Sequence, residues 1–82
     1  MARRYDYSKL YGRIREVYKT QTDFAKDMNL SSQSINYRLT GKMDFKQGEI
    51  EKAMDLLKIK PEEVIEYFFT PKVEKNSIIE ND

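Results

Sequence analysis

Cysteine is absent from the 82 residues, and so is histidine. The first absence excludes a disulfide framework and any thiolate metal site, and fits a reducing compartment. The second removes the commonest metal ligand and the commonest general base. No glycine-rich phosphate loop occurs, and the pair Glu62–Glu63 is more economically a helix start than an acid/base pair. An enzyme is therefore not expected, and neither is a metal, a cofactor or a small-molecule substrate. Apolar runs long enough to span a bilayer are missing as well. The opening "MARRYDY" is basic but leads into no apolar stretch, so no signal peptide is expected and the cytoplasm is the expected location. The length suits one small domain with a modest core.

What is present is a charge asymmetry. The formal net charge of the whole chain is only +1. Residues 1–42 carry nine Lys and Arg against four acids, whereas residues 43–82 carry six Lys against ten acids. A basic first half suggests an anionic partner. The plain alternative is that solvated faces are charged anyway.

Gly41, Gly48, Pro61 and Pro71 divide the chain into helix-sized pieces, and no period-two pattern argues for strands. Five helices are expected, in an all-α fold. The first spans about Ser8 to Lys19, with Leu10, Ile14 and Val17 as its inner stripe and Tyr7, Tyr11 and Tyr18 at the core edge. Gly12 in its middle either marks a close approach or is simply tolerated. The second spans about Gln21 to Met28, capped by Thr20 with Asp23 three residues on, lined by Phe24, Ala25 and Met28, and ended by Asn29 in the left-handed conformation. The third spans about Ser32 to Leu39, with Ser31 as N-cap, Ile35 and Leu39 as anchors and Gly41 as C-terminal cap. The fourth spans about Lys46 to Leu57; Asp44 and Gln47 form its N-terminal box, and Ile50, Ala53, Met54 and Leu57 line one face. The fifth opens at Pro61, with Val64, Ile65, Phe68 and Phe69 as inward candidates. Residues 1–70 form the expected domain and residues 71–82 a flexible tail, polar apart from Val73, Ile78 and Ile79.

The stretch "TQTDFAKDMNLSSQSINYRLTGK" is unusual for a surface helix, because Ser and Asn are mediocre helix formers away from caps. Two helices joined by a turn of about three residues make a helix-turn-helix unit. Phe24, small Ala25, Met28, Leu30 and Ile35 fit its spacing together, with Asn29 at the turn. The segment resembles the phage repressor and Cro-type (Xre-like) helix-turn-helix family. It matches the frequent pattern T-Q-x-x-[apolar]-A-x-x-[apolar]-[G/N]-[apolar]-S. "DFKQGEIEKAMDLLKIKPEEVIEYFF" resembles the last two helices of small phage-encoded members from Gram-positive hosts. The resemblance covers about Tyr7 to Phe69. It departs at Asn29, which replaces glycine, and at Arg38, where many members have an apolar residue.

The resemblance implies a five-helix, phage-repressor-like (lambda repressor-like) fold that binds double-stranded DNA as a Cro-like transcriptional regulator. The third helix would enter the major groove while the second crosses the backbone. By family position Ser32, Gln33, Asn36 and Tyr37 are the base-readout residues. Gln33 and Asn36 have the amide geometry for bidentate pairing with adenine. Gln21, Ser31, Thr40 and Lys42 are the phosphate contacts, with Arg38 a weaker candidate. Ser31 serves as a cap in either case, and Ser34 reads as structural. Arg3 and Arg4 either form an arm along the DNA or play no part.

A homodimer, formed off DNA or only on it, is expected to double the readout. Its expected surface is Tyr67 and Phe69, which cannot both face inward on the last helix. The competing account has the tail covering them. The rival function is that of a protein-binding antagonist or modulator of another phage regulator, using the same fold.

Overall fold

A computed structural model of the chain describes residues 5–72. Five α-helices follow in order: α1 Ser8–Tyr18, α2 Gln21–Met28, α3 Ser32–Thr40, α4 Gln47–Leu57 and α5 Val64–Phe68. A single 3₁₀ turn, Pro61–Glu63, leads into α5. No strand occurs among the described residues. The two ends of the described segment meet in an isolated antiparallel bridge, Tyr5 to Pro71, where the Asp6 N–H donates to the Thr70 carbonyl at 2.8 Å. The all-α, five-helix expectation therefore holds. No helix among the described residues is long and apolar enough to cross a membrane. The Arg3–Arg4 arm and the tail residues Val73, Ile78 and Ile79 lie outside the described residues.

The caps explain the boundaries. Thr20 Oγ1 accepts the Asp23 N–H at 3.1 Å and Ser31 Oγ accepts the Ser34 N–H at 3.0 Å, so α2 and α3 start where their side-chain acceptors stand. Asn29 ends α2 at φ 64°, with the Leu30 N–H returning to the Ala25 carbonyl at 3.0 Å. Gly41 ends α3 at φ 87°. The box of α4 differs from the expected Asp44–Gln47 pair. The helix starts at Gln47, so Lys46 is the N-cap, and its N–H donates to Glu49 Oε1 at 3.0 Å.

The core gathers Tyr7, Leu10 and Ile14 of the first segment, Phe24, Ala25 and Met28 of α2, Ile35 and Leu39 of α3, and Ala53, Leu57, Ile59 and Phe68 beyond. An aromatic chain knits the ends to the α3–α4 loop: Phe45 stands edge-on to Tyr7 and to Phe68, each at 5.4 Å between centroids.

Three expectations about faces are corrected. Val17 is exposed; at the end of α1 its place is taken by Tyr18, which packs edge-on to Phe24 and donates its hydroxyl to Asp27 Oδ2 at 2.8 Å. Burial, with that carboxylate second, pushes the Tyr18 phenol up to about 12. Ile65 is 66% exposed, because the inner stripe of α5 is Val64, Tyr67 and Phe68. Tyr11 is exposed and accepts a hydrogen bond from Arg15 Nη1 at 3.0 Å instead of edging the core. A Cβ at Gly12 would meet nothing within 4 Å, so this glycine is tolerated rather than required.

Candidate functional site

The polar face of α3 follows from its two buried anchors. Ile35 and Leu39 point inward, four residues apart, which turns Gln33 to the opposite side, while Asn36 is exposed on the flank and Ser32 is exposed at the helix start. Their neighbours sort them into two groups. On one side Gln33 Nε2 donates to the Tyr37 hydroxyl at 2.7 Å, and Lys42 Nζ lies 5.2 Å from the centroid of the Tyr37 ring. The Lys42 N–H also donates to the Tyr37 carbonyl at 2.8 Å, which fixes the segment after α3 against that ring. On the other side Gln21, Asn36 and Thr40 share a cleft of about 360 Å³ with Tyr7, Ser8, Tyr11 and Leu39. Thr40 Oγ1 donates back to the Asn36 carbonyl at 2.8 Å. Ser32 Oγ donates to Thr22 Oγ1 at 3.3 Å, tying the start of α3 to α2. Ser31 caps α3, and its hydroxyl donates to the Ser34 hydroxyl at 3.0 Å, which gives Ser34 the structural role expected of it.

Arg38 is the correction within this set. Read as a phosphate contact, it is buried, with 4% of its surface exposed. Its Nε and Nη2 donate to the two carboxylate oxygens of Glu49 at 2.7 and 2.9 Å, and Nη1 donates to the Ser34 carbonyl at 3.0 Å. The fork is thus bidentate, the strong geometry for this pair. Hydrogen bonding from Arg38 is the chief cause that holds the Glu49 carboxyl below its ordinary value, against the opposite pull of burial. Glu49 escaped sequence reasoning because it belongs to the next helix. Arg38 itself left a signal: it is three residues after Ile35 and one before Leu39, on the inner face.

With Arg38 sequestered, α3 presents hydroxyls, amides and one tyrosine, and no charge. Lys42, just beyond the helix, is the exposed cation nearest to it in sequence.

Tyr67 and Phe69 stand apart from the α3 face. Tyr67 is half-buried, with Lys9 Nζ 5.1 Å above its ring and that same ammonium bonded to Glu66 at 3.0 Å. Phe69 keeps 38% exposure and stands edge-on to Tyr5 at 5.5 Å. The most exposed apolar residue of α5 is Ile65.

A family model described as "Protein of unknown function (DUF739)" matches residues 1–71. Among solved structures, the chain is similar to the solution structure of the modulator of repression (MOR) of the temperate bacteriophage TP901-1 from Lactococcus lactis. The two are 41% identical with a TM-score of 0.73, over 85% of this chain and 95% of that one. No curated protein matches.

Proposed function

This chain belongs to the DUF739 family, and from that premise we propose that it is a phage modulator of repression that acts by holding another regulatory protein. The observation that carries the reading is its 41% identity to a modulator of repression across 95% of that protein. The surface chemistry supports it. DNA binding draws much of its affinity from phosphate contacts, and the charge-neutralising ones are made by Lys and Arg. Here the single cation of α3, Arg38, is spent on Glu49 inside the molecule. An uncharged face of Ser32, Gln33, Asn36 and Tyr37 suits a protein surface, where short hydroxyls and amides adapt and tyrosine supplies area.

The partner in this reading is the repressor encoded in the same phage genome. The protein is taken as non-enzymatic and cytoplasmic, with residues 1–70 as the working domain and 71–82 as a tail. Calorimetric titration of the purified repressor with this protein tests the reading. Heat of binding in the absence of DNA, with an affinity lowered at least about tenfold by Tyr37→Ala, supports it. No heat with the repressor sinks it.

A second reading is direct, sequence-specific operator binding as a Cro-like homodimer, with the base and phosphate contacts named above. Its support is that α2, the turn and α3 follow the expected spacing and leave Ser32, Gln33 and Asn36 exposed. Titration of operator DNA at two salt concentrations separates the two readings, since phosphate contacts impose a salt slope.

A further inference from the structure

Behind the α3 face, α4 and the segment from Pro61 to Phe69 enclose an open groove of about 550 Å³. Phe45, Ile50 and Met54 form one wall, and Pro61, Val64 and Phe69 the other. A smaller cleft of about 200 Å³ shares Phe45, Ile50 and Phe69 and reaches Asp44. The charged residues lining the two are Glu51 and Asp44, both acidic. Among the described residues neither makes an ion pair; the carboxylates that do are Glu66, Glu16 and Glu49. No lysine or arginine lines either cleft.

We propose that this groove receives a basic amphipathic helix presented by a partner protein. An apolar floor edged by unpaired carboxylates fits a helix whose apolar stripe, at i, i+3, i+4 and i+7, is flanked by Lys or Arg. The eleven residues of α4 give a wall of about 16 Å, room for roughly three turns. The sign of the charge argues against the two other occupants. A second copy seated face to face would bring its own acidic rim, Asp44 and Glu51, against a rim of the same sign. Residues 73–82 bring three acids and one lysine, the wrong balance for an acidic rim. The groove is a different surface from α3, so the inference stands or falls independently of the proposed function.

The probe is a synthetic amphipathic peptide of leucine and lysine, about 14 residues long, with a leucine–glutamate peptide of the same pattern as control. Each is titrated into the ¹⁵N-labelled full chain while amide shifts are followed by NMR. The Leu/Lys peptide is expected to shift Ile50, Met54, Val64 and Phe69, and to bind at least about tenfold more weakly to the Asp44→Lys/Glu51→Lys chain. Both substituted positions are exposed, and an unchanged melting midpoint verifies the fold. Equal binding of the Leu/Glu peptide overturns the proposal, and so do shifts that leave the groove untouched. Groove shifts that appear with protein concentration alone and vanish in Ile65→Ser assign the groove to a second copy instead. Groove shifts produced by Ile78→Ser/Ile79→Ser without peptide assign it to the tail. Either result overturns the proposal.

Discussion

The Arg38 and Glu49 side chains retain 5% and 17% of their exposure; they join α3 to α4, and each also holds part of the frame of its own helix: Arg38 the Ser34 carbonyl, Glu49 the Lys46 N–H. Removing one partner strands a desolvated charge, which costs more than the pair contributes when intact. Arg38→Ala is expected to destabilise by about 3 kcal/mol, the low end for a severed buried pair because Glu49 keeps some water. A denaturant melt measures it. The same pair sets an acid limb. The native Glu49 carboxyl lies below its ordinary 4.5, so its contribution is whole above that value and is lost as pH falls through the lowered native one. The melting midpoint of the natural chain should therefore fall more steeply below about pH 4.5 than that of Glu49→Gln, which starts lower but titrates less. At this scale the sequence was half legible. The helical wheel places Arg38 inward, but a long-range partner leaves no local trace.

The helices were legible wherever a cap and a stripe agreed. Thr20, Asn29, Ser31 and Gly41 each do the predicted work, because capping is chemistry between neighbours in sequence. α5 was not, since five residues do not define a period, and its inner face proved to be Val64, Tyr67 and Phe68. Gly12, in the exposed middle of α1 with open space around its Cβ, loses backbone entropy to no purpose. Gly12→Ala is expected to stabilise by about 1 kcal/mol, a rise of roughly 4–8 °C for a domain of this size, read by thermal circular dichroism. Lys58 caps α4 at φ 56°, where a Cβ is strained. Lys58→Gly should raise the midpoint by a few degrees, and a fall would mean that the lysine side chain contributes more than the strain removes.

Across the whole molecule, the aromatic junction of Tyr5, Tyr7, Phe45, Phe68 and Phe69 closes the fold by Pro71. Deleting residues 73–82 should leave the melting midpoint within a few degrees of the full chain, and a large loss would place Val73, Ile78 or Ile79 in the packing. The fold could be read from the chain; the partner could not. Short polar groups on a helix suit base edges and protein surfaces alike, and the basic first half pointed toward DNA. What weighs against DNA is where Arg38 goes, and that is a tertiary fact. The most direct measurement is a pair of direct titrations: the repressor of the same phage and a fluorescent operator fragment, each titrated separately with this protein at about 50 and about 200 mM salt. The account predicts binding to the repressor without DNA, no saturable binding to the operator alone, and no effect of Lys42→Ala on any salt slope. It is contradicted by tight binding to the operator alone, with a salt slope of several units that drops by about one in Lys42→Ala.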